Sequence, residues 1–280
     1  MAVALGVLVA IAFGSGDFLG GRATMSATTP GVLVVSQCCA VAGAVVVALA
    51  VGAHVATADL VYGVFAGVVN VIGLALLYRG LATGAMSVVA PITAVVASLI
   101  PVAWGFANGE RPSLLVLVGV VLETGASALV AAGPEHTPRE TVVEGAVTAV
   151  LAGCALGTSL VLYAQTSPAS GFWPVLTARM TAAALVVAFV WWLRRSREVP
   201  LPSGRARLLA VGAGVLDVTA ASVLLLALRN GLIVVVAPVA ALGPGFTVLL
   251  AWILLGERLS VPQRVGLAIA LCGLVLVSGG

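Results

Sequence analysis

The feature that most constrains this chain is a series of apolar runs, each long enough to cross a lipid bilayer as a helix. Short stretches containing Gly, Pro, Arg, Asp and Glu separate them. A hydrocarbon layer about 30 Å thick takes about 20 helical residues to cross. We therefore predict ten transmembrane helices, at residues 3–21, 30–52, 59–82, 85–107, 113–132, 143–165, 171–193, 207–228, 232–255 and 263–279.

The composition excludes an ordinary soluble domain. Hydrophobic residues make up 61% of the 280 residues and charged residues only 8%, whereas soluble domains are about a quarter charged. Much of the apolar surface must therefore face lipid. The apolar runs do not alternate as the strands of a membrane barrel do, so we predict an all-α integral membrane protein with no room for a soluble domain.

A sequence repeat relates the two halves of the chain. At an offset of 147 positions, Ala90-Pro91 aligns with Ala237-Pro238, and "GERPS" at 109–113 aligns with "GERLS" at 256–260. Apolar letters coincide easily in so apolar a chain. Gly-Glu-Arg at two helix ends together with Ala-Pro at two helix starts coincides much less easily, and this indicates a duplication.

The repeat predicts the membrane topology. We assign one five-helix repeat to residues 1–133 and the other to 142–280, with the polar stretch 131–145 between them. Because five is odd, the second repeat enters the membrane from the opposite side. Inverted repeats of this kind are typical of secondary transporters, in which the two halves open a central site to alternate sides.

Six short stretches carry a resemblance to a known family. "APITA" with "GERPS", and "APVAAL" with "GERLS", resemble the EamA family of the drug/metabolite transporter superfamily, and "GSGDFLGG" at 14–21 and "LLYRGLATGAMSVVAP" at 76–91 resemble a bacterial subgroup of it. The resemblance covers the whole chain. It implies a multi-pass protein of the bacterial inner (plasma) membrane. It also implies export of amino acids and related metabolites, or movement of other small polar compounds, by exchange or proton coupling, without identifying the substrate.

Charged residues inside the spans are candidates for substrate binding or coupling. A charge in hydrocarbon costs about 3 kcal/mol on insertion scales, so it is expected to face the interior or a partner. Asp17 and Arg79 lie near the exits of the first and third spans, on the same side of the membrane. We predict that they pair in or beside the cavity. The alternative is that Arg79 extends to the headgroups while Asp17 caps a helix end.

Two further charges fall on neighbouring antiparallel spans. Arg179 and Asp217 lie roughly 6 Å apart in depth at the helical rise per residue, within reach of an arginine side chain. The alternatives are a structural pair that neutralises two costly charges and a site for a zwitterionic substrate. Glu123 lies in the middle of the fifth span, and its repeat equivalent is Ala270. It either couples protons or bonds a neighbouring helix.

Prolines mark the fourth and ninth spans. Pro91 and Pro238 each lie in the first two turns of a span, and Pro244 follows in the ninth. A proline inside a helix removes a backbone donor and bends the helix. We predict symmetric kinks that either gate the cavity or shape it statically, and we expect these two spans to form its walls.

The repeated Gly-Glu-Arg motif ends the fourth and ninth spans. We interpret each copy as an interfacial cap and ion pair that fixes a tight turn, and the inversion places the copies on opposite faces of the membrane. The motif residues are Gly109, Glu110, Arg111, Gly256, Glu257 and Arg258.

The arginines predict an orientation. Two, Arg111 and Arg229, fall in loops on the side where the first span begins. Nine fall in loops on the other side: Arg22, Arg139, Arg194, Arg195, Arg197, Arg205, Arg207, Arg258 and Arg264. The positive-inside rule places the nine in the cytoplasm and both termini outside.

The sequence also predicts what the protein does not use. Both histidines, His54 and His136, fall in loops, and no metal-binding or ATP-binding motif is present. We expect no cofactor, no enzymatic activity and no nucleic acid partner. The expected partners are the lipid bilayer, a small-molecule substrate, and protons or a counter-substrate, and a homodimer stays open. The alternative functions are a membrane-embedded enzyme and a non-transporting membrane partner protein.

Overall fold

The computed structural model describes residues 1–82, 86–131, 139–196, 198–256 and 259–279, with backbone alone at 78, 80–82, 86–88 and 139–144. Its regular elements are α1 (Ala2–Thr24), α2 (Thr29–Ala50), α3 (Thr57–Ala82), α4 (Met86–Ala107), α5 (Leu114–Ala131), α6 (Arg139–Ala164), α7 (Trp173–Leu193), α8 (Gly204–Asn230), α9 (Ile233–Ala240), α10 (Gly243–Leu255) and α11 (Val261–Gly279). A short 3-10 turn at Pro168–Ser170 precedes α7.

These helices provide ten segments long and apolar enough to cross a membrane, counted over the described residues. The predicted all-helical membrane fold is therefore confirmed. The ninth span differs from the prediction, because residues 241–242 divide it into α9 and α10. The predicted boundary at residue 133 lies outside the described residues.

Packing between the two halves dominates the bundle. The main helix pairs are α1 with α8, α3 with α6 and α7, α4 with α6, α2 with α7 and α8, and α5 with α11. Exchanging each span for the one five places along maps α1–α8 onto α6–α3 and α3–α7 onto α8–α2. The pairs α5–α11 and α2–α7 map onto themselves. This is the pattern that a two-fold relation between the halves would produce, and it supports the predicted repeat.

Small residues set the closeness of the α4–α6 interface. Gly153 and Gly157 of α6 lie against the α4 backbone, where an added Cβ would crowd the carbonyl oxygens of Thr93 and Ala97. The Thr93 hydroxyl donates a hydrogen bond to the Ala149 carbonyl oxygen at 3.2 Å. Close backbone approach of this kind stabilises helix pairs in lipid, where the hydrophobic effect between helices is absent.

Hydrogen bonds between loops sort the connections onto two faces of the bundle. The Thr28 hydroxyl donates to the Pro200 carbonyl oxygen at 3.1 Å, which joins the α1–α2 and α7–α8 loops. On the other face, the His54 N–H donates to the Ala169 carbonyl oxygen at 2.9 Å, which joins the α2–α3 and α6–α7 loops. The Arg-rich α7–α8 loop therefore shares a face with the end of α1, as the predicted orientation requires.

Candidate functional site

A buried ion pair lies inside the second half of the bundle. The Arg179 guanidinium on α7 contacts the Asp217 carboxylate on α8, with 2.7 Å between Nη1 and Oδ2. The Arg179 side chain is 8% exposed and the Asp217 side chain 26% exposed. The structure thus forms the Arg179–Asp217 pair that the sequence predicted.

The surroundings of the pair are apolar. Val218 and Ala221 of α8 pack in one cluster with Ala40 and Ala44 of α2. The Arg179 Nε is buried and has no hydrogen-bond partner among the described residues. The guanidinium therefore keeps an N–H free for an acceptor that the described protein does not supply.

Two more polar side chains adjoin the pair. Asp17 of α1 is exposed. It interacts electrostatically with Asp217, because the neighbouring Gly16 lies against the α8 backbone at Ala213 and Asp217. Tyr163 of α6 is 6% exposed and interacts electrostatically with Arg179 and Asp217. We call Asp17, Tyr163, Arg179 and Asp217 the charged cluster.

The predicted Asp17–Arg79 pair is not formed. Arg79 is exposed on α3, and Arg179–Asp217 is the one ion pair among the side chains that the structure describes. The reason is that α1 and α3 have different neighbours. α1 packs mainly against α8, α9 and α10, whereas α3 packs mainly against α6 and α7. Equal depth therefore does not bring the two side chains together, and Asp217 takes the place predicted for Arg79.

Glu123 lies apart from the charged cluster. Its side chain on α5 is 0% exposed, and neither carboxyl oxygen has a hydrogen-bond partner within the described part of the chain. The side chain faces Gly273 of α11, where an added Cβ would lie 3.1 Å from the Glu123 Cγ. The alternative in which Glu123 bonds a neighbouring helix is therefore not observed.

Of the two proline-marked spans, the structure breaks only the ninth. α4 runs without interruption from Met86 to Ala107 through Pro91, while the ninth span breaks after α9. Pro238 lies inside α9, and Pro244 is the second residue of α10. At that position the missing N–H has no helical partner to lose.

A cavity of about 250 Å³ opens beside the break. It lies between α1, α5, α10 and α11, and Ser127 is the only hydroxyl side chain among its lining residues. The ninth span contributes to its wall through Leu242, Phe246 and Leu249. α4 contributes no residue to this lining.

The first Gly-Glu-Arg motif caps a helix of the other half. Both Glu110 carboxylate oxygens accept backbone hydrogen bonds at the start of α9, from Ile233 N–H at 3.0 Å and from Val234 N–H at 3.0 Å. A carboxylate suits this place because the N-terminal N–H groups of a helix lack partners and carry partial positive charge. Gly105 allows the approach, since an added Cβ would overlap Glu110 and both capped residues.

The rest of the motif shapes this turn. Gly109 adopts φ +89°, a conformation that favours glycine. Arg111 donates to the carbonyl oxygens of Phe106 at 3.1 Å and Glu110 at 2.8 Å. Glu110 thus caps α9 of the other half, whereas the sequence predicted a cap and ion pair at its own turn. Arg111 binds carbonyl oxygens instead of forming that ion pair.

Only part of the second motif is described. Gly256 ends α10 with φ +69°, as Gly109 does for the first copy. Glu257 and Arg258 lie outside the described residues.

The sequence did not indicate two of the polar contacts. Tyr163 was missed because nothing in its neighbourhood distinguishes it from an interfacial aromatic residue. The second contact joins Ser170 to Asp59, with 2.5 Å between Oγ and Oδ2. Asp59 lies in the first turn of α3 and is 4% exposed. Its position at a span boundary gave no reason to expect this burial.

Comparisons with known proteins agree with this architecture. Residues 143–279 match the model of the EamA-like transporter family. A crystal structure of another protein matches with a TM-score of 0.76 at 17% sequence identity, over 99% of this chain and 96% of that one. At that identity the likeness shows the fold alone. No curated protein sequence matches the chain.

Proposed function

We propose that this chain, whose residues 143–279 match the model of the EamA-like transporter family, is a secondary transporter that exports small polar or amphipathic metabolites such as amino acids. It is driven by a gradient or by exchange, and it works by alternating access between two inverted repeats. The observation that carries this proposal is the charged cluster, which combines Asp17 of the first half with Arg179 and Asp217 of the second.

The chemistry of the cluster suits a zwitterionic solute. Arg179 holds Asp217 through Nη1 and keeps a buried Nε without a partner, so it can donate to a carboxylate. Asp17 carries a carboxylate that accepts no hydrogen bond from the described residues and can receive an ammonium group. Charge-assisted hydrogen bonds of this kind are about twice as strong as neutral ones.

The location of the cluster suits alternating access. Its acidic member on α1 belongs to the first half, and its other charges belong to helices of the second half. A rotation of one half against the other therefore changes the distance from Asp17 to Asp217. Substrate affinity would then depend on which side of the membrane the charged cluster faces, as transport against a gradient requires.

The Glu110 cap supplies a candidate latch for one side. It joins the α4–α5 loop of the first half to the start of α9 in the second. Opening that face would separate the two, and the cap would break and reform once in each transport cycle.

An exchange experiment tests the proposal. The full chain is reconstituted in liposomes loaded with a mixture of the standard amino acids, and isotope-labelled amino acids are added outside. Mass spectrometry should show labelled solute entering faster than into protein-free liposomes. Asp217→Asn should abolish this exchange, whereas Glu198→Gln, on an exposed loop residue, should retain it. Equal entry with and without the protein for every amino acid tested would argue against the proposal.

A further inference from the structure

We propose that Glu123 is a proton-binding site that couples proton release to movement of the broken ninth span. The inference rests on the proposed transport function, because coupling has meaning only in a carrier. The site is separate from the charged cluster: Glu123 lies on α5, and its side chain faces α11.

The Glu123 carboxyl group is buried between α5 and α11. Glu123 is 0% exposed, and both carboxyl oxygens lack hydrogen-bond partners among the residues described. Gly119 of the same helix packs against Val277 and Gly273 of α11, which brings the α11 backbone close to the side chain. An ionised carboxylate without a partner in such surroundings costs several kcal/mol. Glu123 therefore holds a proton while these helices stay packed.

No described positive charge faces the Glu123 carboxyl group. The helices packed against α5 are α4, α9, α10 and α11. Over their described lengths, α4, α9 and α10 carry no titratable side chain. α11 carries Arg264 and Cys272, both of which are exposed, and Arg264 lies nine residues before Gly273. No described positive group is placed to stabilise the ionised form.

Hydrogen bonds of Ser127 connect the Glu123 turn of α5 to the break in the ninth span. Ser127 lies one turn beyond Glu123, and its hydroxyl reaches the Glu123 carbonyl oxygen at 3.0 Å and the Ala241 carbonyl oxygen at 3.2 Å. Ala241 is the residue that follows α9. The helical turn that carries the carboxyl group thus also holds the free end of the broken span.

A cavity beside Ser127 provides a route by which water can approach Glu123. Ser127 lines the cavity of about 250 Å³ that lies between α1, α5, α10 and α11. If α10 moves away from α5, water enters beside Ser127 and reaches the turn that contains Glu123. The Glu123 carboxylic acid then releases its proton to water and becomes a carboxylate, and repacking requires that a proton return. One proton is released at each opening and one is taken up at each closing.

Infrared spectroscopy of the protein in liposomes tests the protonation directly. At neutral pH the wild type should show the carbonyl stretch of a protonated carboxylic acid, and Glu123→Gln should lack it. Glu198→Gln is the matched control and should retain it. If Glu123→Gln fails to fold, Glu123→Leu fills the apolar site and is measured in the same way. A wild-type spectrum identical to those of the Glu123 variants in this region would overturn the proposal.

Proton movement tests the coupling. Liposomes containing a pH-sensitive dye and the amino acid mixture are used to follow proton flux during solute movement. Glu123→Gln should lose the proton release and uptake that accompany solute movement in the wild type, whereas unchanged proton movement in this variant would contradict the proposal. If the wild type shows no solute exchange, the transport function fails, and the infrared measurement still decides whether Glu123 holds a proton.

Discussion

At the scale of single residues, the cost of burying charge governs the Arg179–Asp217 pair. Removing one member of a buried pair leaves the other charge without a partner, which costs about 3–5 kcal/mol, whereas replacing both with apolar residues is often neutral. The pair can therefore be structural or functional, and stability alone does not distinguish these roles. A comparison of single and double variants does.

We expect Asp217→Asn to lower the thermal stability of the purified protein, because Arg179 then loses its 2.7 Å contact with a carboxylate. The double variant Arg179→Leu with Asp217→Leu should recover most of that stability, but it should not transport, because the substrate contacts are gone. Thermal unfolding in detergent and exchange in liposomes measure the two properties. Transport by the double variant would show that the pair is only structural.

Glu110 makes a second prediction at this scale. Glu110→Ala removes the acceptors of the Ile233 and Val234 N–H groups, and the loss of a helix cap costs about 1–2 kcal/mol. Glu110→Gln retains one acceptor and should lose less. Thermal unfolding checks the order wild type, Gln, Ala. An alanine variant as stable as the wild type would show that the cap contributes nothing to the folded state.

The residue types of the site could be predicted, but only some of their partners. Arg179 and Asp217 stand on consecutive spans, so their depths decided whether they could meet. Asp17 and Arg79 share a depth but stand on helices that do not pack closely, and depth along a span says nothing about which face of the bundle a helix occupies. The partner of Glu110 lies 123 residues along the chain, beyond the reach of any local pattern.

At the scale of elements, the ten spans could be predicted because length and hydrophobicity are local properties of the sequence. The break at residues 241–242 could not. Pro238 and Pro244 marked irregularity in the ninth span, yet Pro91 lies within a continuous α4. What differs is the support outside the helix. The Ser127 hydroxyl donates to the Ala241 carbonyl oxygen at the end of α9. The Thr247 hydroxyl donates to the Gly14 carbonyl oxygen at 2.9 Å, which fixes α10 against α1.

The α4–α6 interface gives a prediction for packing. Gly157→Val should separate the two helices and destabilise the protein, because an added Cβ would lie 2.8 Å from the Ile100 Cβ and 2.9 Å from the Ala97 carbonyl oxygen. Gly125→Val is the matched control, since nothing lies within 4 Å of an added Cβ there. Size-exclusion chromatography and thermal unfolding compare the two. Equal behaviour would show that close contact at Gly157 is not needed.

At the scale of the whole molecule, the two faces of the bundle differ in charge. Loop contacts put the Arg-rich α7–α8 loop on the face where α1 ends, while α1 begins on the face of Gly231, against which Ala2 packs. If the positive-inside rule holds, the C-terminus is outside. Fusions at Gly280 should therefore give activity with a periplasmic reporter and none with a cytoplasmic one. The opposite result would invert the predicted orientation.

The central claim is that the charged cluster is reached from each side of the membrane in turn. It is tested most directly by replacing Cys38, Cys39, Cys154 and Cys272 with serine and introducing Asp17→Cys as the single thiol. An impermeant maleimide is then applied in separate reactions to right-side-out and inside-out membrane vesicles. Alternating access predicts labelling of residue 17 from both sides. Labelling from one side alone, under every substrate condition tried, would contradict it.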